Sequence, residues 1–80
     1  MKIQTLFFGI TSDLVETNDL EITISENSSI NDFKVFLKKK YPKLENINSY
    51  AIAVNETYAE GNLILKEGDV VAIIPPVSGG

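Results

Sequence analysis

The C-terminal end of the chain carries the residues whose types are best suited to chemistry. It reads Pro75-Pro76-Val77-Ser78-Gly79-Gly80. Proline has no backbone N–H for a sheet ladder, so two prolines should end a strand and lead the chain away in an extended form. Glycine has no Cβ, so a terminal Gly-Gly can enter a narrow channel in another protein and present its α-carboxylate there. We expect residues 75–79 to thread and the Gly80 carboxylate to react; a frayed end without function is the weaker interpretation.

The side chains offer little other chemistry. The 80 residues include no cysteine, histidine or arginine. This excludes disulfides, zinc ribbons and thiol nucleophiles, together with the side chain that most often transfers protons near neutral pH. No combination of the remaining carboxylates, lysines and tyrosines converges into an acid, a base and a nucleophile. We therefore expect neither a free-standing enzyme nor a bound cofactor.

Charge and hydropathy exclude further partners. The formal net charge is −4 and there is no basic stripe, which argues against nucleic acid and favours a basic protein partner. No stretch approaches the roughly 20 apolar residues that span a bilayer, and the N-terminus alternates apolar and polar residues, unlike a signal peptide. We expect no membrane partner and a cytoplasmic protein. Glu56, Glu60, Glu67 and Asp69 follow no metal-loop spacing, so no metal site is expected.

The elements that position the terminus are mainly strands with period-two apolar patterns. The last predicted strand is apolar on both faces, as a central strand requires. Gly9–Asn18 is a loop or short helix in which Thr11, Ser12 or Asp13 could act as the cap. The predicted strands are Lys2–Phe8, Leu20–Ser25, Tyr50–Asn55, a brief strand or turn at Leu63–Leu65, and Val70–Ile74.

One helix is predicted after the second strand. Ser29 and Asp32 have the spacing of a capping box, and Ile30, Phe33 and Leu37 form an apolar stripe. Pro42 disfavours helical geometry at the preceding residue, so the helix should end near Lys40 and a loop should follow.

This order of elements predicts an α+β fold in which one helix covers one face of a mixed sheet. Such a two-layer roll is the β-grasp arrangement of ubiquitin-like proteins. We expect residues 1–76 to form the domain and residues 77–80 to form a flexible tail. The first and last strands would lie parallel at the centre, with Val70, Ala72 and Ile74 facing outward beside Leu6 and Phe8.

Four segments together resemble the MoaD family, the small sulfur-carrying subunits of molybdopterin synthase. The resemblance covers nearly the whole chain and depends most on the ending. One segment departs from the family, because Ile10–Glu16 lacks the arginine that many members carry there, and any partner contact by that arginine is not carried over. The resembling segments are Leu6–Gly9, Ala53–Asn55, Leu65–Val71 and Pro75–Gly80.

The resemblance implies a two-stage cycle at Gly80. An E1-like adenylyltransferase of the MoeB type would consume ATP to adenylate the carboxylate, and a sulfur donor would convert it to a thiocarboxylate. The carrier would then thread its tail into a large, MoaE-type subunit, in a heterotetramer, and donate sulfur to a pterin precursor. Phe8, Tyr58 and Ile74 would dock on both partners, since contiguous exposed apolar surface usually marks an interface. Phe8 and Ile74 could instead only cover the sheet.

Two other functions share these features. The thiamine-pathway sulfur carrier has the same fold and Gly-Gly end but usually lacks the preceding Pro-Pro. A ubiquitin-like modifier would join Gly80 to lysines of target proteins.

Overall fold

The fold is built on a mixed sheet with the predicted β-grasp topology. The computed structural model describes residues 1–46 and 50–75. In this part of the chain the sheet order is β2-β1-β5-β3-β4. β1 and β5 pair in parallel at the centre, as expected, and the other neighbours are antiparallel. The strands are β1 Lys2–Phe7, β2 Asp19–Thr23, β3 Ala51–Val54, β4 Thr57–Tyr58 and β5 Val70–Ile74.

The main helix, α2, spans Ile30–Lys40 and confirms the predicted helix. Its N-terminus is a capping box, in which the Asp32 N–H donates to Ser29 Oγ at 3.2 Å and the Ser29 N–H donates to Asp32 Oδ2 at 2.9 Å. These bonds satisfy backbone donors that have no partner within the helix. The helix ends just before Tyr41 because Pro42 follows. None of the helices in the described residues is long and apolar enough to cross a membrane.

The hydrophobic core lies between α2 and one face of the sheet. Successive side chains in a strand point to opposite faces, so alternate residues of the central strands enter the core. Each large apolar side chain buried in this way stabilises the fold by about 1.5–3 kcal/mol. α2 contributes Ile30, Phe33 and Leu37, and the strands contribute Ile3, Thr5, Phe7, Ile22, Ile52, Val54, Val71 and Ile73.

The connecting segments differ from the expectations in several places. Gly9–Asn18 contains a short helix, α1 (Ile10–Val15), whose N-cap is Gly9 without any side-chain cap bond, so capping by Thr11, Ser12 or Asp13 was wrong. A 3₁₀ helix occupies Pro42–Asn46, where a loop was expected. Leu63–Leu65 contributes only one bridge, between Ile64 and Ser29.

The boundaries of three strands also shift: β1 ends at Phe7 instead of Phe8, β3 spans Ala51–Val54 instead of Tyr50–Asn55, and β2 changes at both ends. β2 begins at Asp19 rather than Leu20, because Asp19 pairs with Leu6 of β1. It ends at Thr23 rather than Ser25. Ile24 still donates its N–H to Met1 O at 3.0 Å, one residue before β1 begins. β4 was not predicted at all.

Candidate functional site

The sheet face opposite α2 carries a continuous apolar surface, here called the apolar face. Its members come from β1, β5, β3 and β4 and are joined by cross-strand pairing. Leu6 pairs with Ala72, Ala72 with Ala53, and Ala53 with Tyr58. Ile74 pairs with Ala51 in the next row. The members of the apolar face are Leu6, Phe8, Ala51, Ala53, Tyr58, Ala72 and Ile74.

The structure brings the three predicted docking residues to this one face. The Phe8 N–H donates to Ile73 O at 3.1 Å, which continues the β1–β5 pairing and sets Phe8 beside Ile74. Phe8 is 49% exposed and Tyr58 is 71% exposed, whereas Ile74 is half-buried. Tyr58 lies in the neighbouring row on β4, two strands from β5, so it does not adjoin the other two.

Alanines form the middle of the apolar face, a feature that the sequence reasoning missed. Ala51, Ala53 and Ala72 lie between the larger side chains of Phe8, Ile74 and Tyr58. Because each alanine side chain is a single methyl group, this part of the face lies lower than the larger side chains around it. The signal was present in the alternation of Ala51 and Ala53 with Ile52 and Val54, which puts small residues on one face of β3 and large residues on the other.

An acidic border lies next to the apolar face. Asp19 pairs with Leu6, and Glu21 pairs with Gln4, so both carboxylates share the outer face of the sheet. Both residues are exposed. Because rim charges select partners of complementary charge, this border favours a surface with basic side chains.

The chain leaves the sheet at the edge of the apolar face. β5 ends at Ile74, and Pro75 packs against Gly9 in the turn between β1 and α1. Gly9 has φ +54°, in the region that favours glycine. The predicted thread residues Pro76, Val77, Ser78 and Gly79, and Gly80, whose carboxylate is expected to react, lie outside the described residues.

A surface cleft of about 730 Å³ adjoins Tyr58, between β4 and residues 59–66. Two of its polar side chains, those of Asn55 and Asp69, are engaged in local structure. The Asp69 carboxylate accepts from the Lys66 N–H at 2.8 Å and from Asn55 Nδ2 at 3.0 Å, while Asn55 Oδ1 accepts from the Val70 N–H. These bonds hold the β3–β4 turn onto the start of β5. Within the described ranges, no cluster of three or more potential metal ligands is present.

Among the described residues, the two ionisable groups with a shifted pKa lie on the helix side, away from the apolar face. Burial raises the pKa of Tyr50, whose ring lies 5.7 Å from Lys34 Nζ. The hydrogen bond and the charge of Glu45, 2.9 Å away, raise the pKa of Lys38.

Comparison with known proteins identifies the family. A model of the ThiS family matches residues 5–80. The chain belongs to the ThiS family. Over its full length this ThiS-family chain is 33% identical to a molybdopterin synthase sulfur carrier subunit from Arabidopsis thaliana, of which the match covers 84%. Further relatives carry the same name. The resemblance to the MoaD family is thereby confirmed.

Two solved structures agree with the ThiS-family fold. One is the complex of subunits 1 and 2 of molybdopterin-converting factor from Helicobacter pylori 26695, with 28% identity, a TM-score of 0.72 and full coverage of both chains. The other is SAMP1 from Haloferax volcanii, with a TM-score of 0.87 and full coverage of both chains at 19% identity, which shows the fold alone.

Proposed function

We propose that the chain is a sulfur carrier for molybdopterin synthesis and that Gly80 carries the sulfur. One structural observation supports this most strongly: Pro75 follows directly on Ile74 at the margin of the apolar face. A partner that covers this face therefore receives the C-terminus as well. The names of the family relatives point to the same function.

The chemistry begins with activation of the terminus. A carboxylate is a poor electrophile, so an adenylyltransferase of the MoeB type joins it to the AMP portion of ATP and releases pyrophosphate. A sulfur nucleophile then attacks the acyl carbon, AMP leaves, and Gly80 ends in a thiocarboxylate. ATP belongs to the activating partner, and the carrier itself holds no cofactor. This division of roles agrees with a chain that has neither histidine nor cysteine.

The second stage takes place in a large subunit of the MoaE type. Phe8, Tyr58 and Ile74 dock on it, and Asp19 and Glu21 face basic side chains at the rim. The Helicobacter relative, solved as a complex of subunits 1 and 2, supports a partner of this kind. Five residues follow Pro75, and an extended chain of that length spans at most roughly 17 Å. The thiocarboxylate can therefore reach a site well inside the partner and attack the pterin precursor there.

In this proposal residues 1–76 are the folded domain and residues 77–80 are the tail. Pro75, Pro76, Val77, Ser78 and Gly79 form the extended thread. The protein acts in the cytoplasm with protein partners, and neither nucleic acid nor a membrane takes part.

Intact mass spectrometry tests the proposal. The purified chain is incubated with its cognate adenylating partner, ATP and sulfide. The full-length chain should gain the mass difference between sulfur and oxygen, located at Gly80 by fragmentation. A variant lacking Gly79 and Gly80 is the control and should gain nothing. An unchanged mass for the full-length chain would contradict the proposal.

Two alternatives predict different partners. The thiamine-pathway sulfur carrier shares the fold and the Gly-Gly end, and it predicts copurification without a large pterin-synthesising subunit. A ubiquitin-like modifier predicts Gly80 in isopeptide bonds to lysines in cell lysates. Proteins that copurify with the full-length chain but not with the variant lacking Gly79 and Gly80 distinguish the three functions.

A further inference from the structure

The turn between β1 and α1 is held by hydrogen bonds to its own helix. Phe8 O accepts from the Thr11 N–H at 3.1 Å and from the Thr11 hydroxyl. Gly9 O accepts from the Ser12 N–H at 3.1 Å and from the Ser12 hydroxyl at 2.8 Å. Because two successive carbonyl groups each accept twice, Phe8 and Gly9 have little freedom to move relative to α1.

The same turn contacts the end of β5, where the tail begins. The Phe8 N–H donates to Ile73 O at 3.1 Å, and Thr11 Oγ1 lies 3.5 Å from the same oxygen. A Cβ at Gly9 would lie 3.0 Å from Pro75 Cγ. A side chain at position 9 would therefore require the Pro75 ring to shift by a few tenths of an ångström.

Two independent features make glycine the fitting residue at position 9. Its backbone has φ 54° and ψ −137°, a combination that residues with a side chain rarely adopt. The contact with Pro75 Cγ is also tighter than ordinary van der Waals contact, so an added methyl group would force the proline ring to move.

We propose that Gly9 is a positioning residue for sulfur transfer. By leaving room for Pro75 against an anchored turn, it sets the direction in which the C-terminal tail leaves the domain. The adjacent Phe8 belongs to the apolar face, so the turn also fixes the tail relative to the docking surface. This inference rests on the proposed function, because the tail needs a set direction only if a docked partner receives it.

The first test separates catalysis from docking. Gly9→Ala is compared with Gly68→Ala, since Gly68 also has a positive φ, +84°, but nothing lies within 4 Å of its added Cβ. Thiocarboxylate formation is followed against carrier concentration with the adenylating partner. Small misplacements of reacting groups cost large factors in rate, so kcat should fall about five- to ten-fold in Gly9→Ala, with KM within about two-fold of wild type. Gly68→Ala should keep the wild-type kcat.

Thr11 provides a second pair of variants if Gly9→Ala folds poorly. Thr11→Val removes the hydroxyl that ties the turn and should lower kcat, whereas Thr11→Ser keeps the hydroxyl and should restore it. Equal kcat values for wild type, Gly9→Ala and Thr11→Val would overturn the inference.

NMR tests the tail direction without any partner. Amide chemical shifts of residues 77–80 should change in Gly9→Ala and stay unchanged in Gly68→Ala; unchanged shifts in both variants would overturn the inference. A wild-type chain that gains no sulfur would contradict the proposed function instead, and the chemical shifts would still decide whether Gly9 positions the tail.

Discussion

At the scale of single residues, Thr5 departs from the apolar pattern of the core. Its side chain is fully buried in the central strand β1, and its hydroxyl has no hydrogen-bond partner. Burying an unpaired hydroxyl costs about 1–3 kcal/mol. We expect Thr5→Val, which has nearly the same shape, to raise the free energy of unfolding by about 1 kcal/mol in urea denaturation.

Thr11→Val is the matched comparison for Thr5→Val. Thr11 is equally buried, but its hydroxyl donates to Phe8 O, so the same substitution should lower the free energy of unfolding by about 1 kcal/mol. If both substitutions change the free energy of unfolding in the same direction, the hydrogen bond of the hydroxyl does not decide what each threonine contributes.

Phe8 is the residue whose side chain best tests the docking face. Phe8→Asp places a charge in the apolar face and should weaken binding to the large subunit at least about ten-fold, as expected for an aromatic anchor. Val35→Asp is the control, because Val35 is 54% exposed on α2, away from that face. Titration calorimetry gives the Kd, and circular dichroism shows that both variants fold. Equal affinities of the two variants would contradict the docking role of Phe8.

Tyr50 predicts a dependence of stability on alkaline pH. Burial raises its pKa in the folded protein above the usual value of 10.0, so its ionised form is disfavoured there. The stability that neutral Tyr50 provides is present below that value and is lost as the pH rises through the raised pKa. Between pH 9 and pH 12, Tyr50→Phe should lose less stability than wild type in urea denaturation. An equally steep loss in both proteins would contradict the assignment.

At the scale of elements, the capping box of α2 should stabilise the folded protein through its side-chain hydrogen bonds. Ser29→Ala removes the side-chain acceptor for the Asp32 N–H and should lower the free energy of unfolding by about 1 kcal/mol. Ser25→Ala is the control, because Ser25 is exposed and lies four residues before the N-cap Ser29, outside the capping box. Thermal or urea unfolding measures both. A loss in Ser29→Ala no greater than in Ser25→Ala would contradict the cap.

The elements that could be predicted from sequence are those with strong local signals. The capping box and apolar stripe predicted α2, and the apolar run at Val70–Ile74 predicted β5. β4 was missed because the turn before it, Asn55-Glu56, has positive φ at both residues, whereas glutamate is not a usual residue at such a position. The pairing of β4 with β3, and not the local sequence, therefore determines the conformation of this turn. Tyr58 was predicted as a docking residue from the family resemblance, and its strand, β4, came only from the structure.

The roles of small residues were equally hard to predict. Gly9 carries no local signal that a proline 66 positions later would pack on it, since that contact depends on the parallel pairing of β1 and β5. The position of the alanines in the middle of the apolar face depends likewise on register across three strands. The reactive end, by contrast, is a prediction from residue types alone, and residues 76–80 lie outside the described part of the chain.

At the scale of the whole molecule, the absence of cysteine and histidine fits a division of labour between proteins. The 80-residue chain provides a β-grasp domain with an apolar face, and its sequence closes on Gly79-Gly80. The parallel β1–β5 pair links these parts, because it places Phe8 and the start of the tail side by side. Acid–base chemistry would then come from the partners, and the sulfur would be carried on the main-chain terminus.

The most direct test of the central claim follows the sulfur into the pterin. The thiocarboxylated chain is mixed with the large subunit and the pterin precursor, and both the carrier mass and the dithiolene product are measured over time. The account predicts that the carrier loses its sulfur in step with product formation. A carrier that keeps its thiocarboxylate, with no dithiolene formed by an otherwise active large subunit, would contradict it.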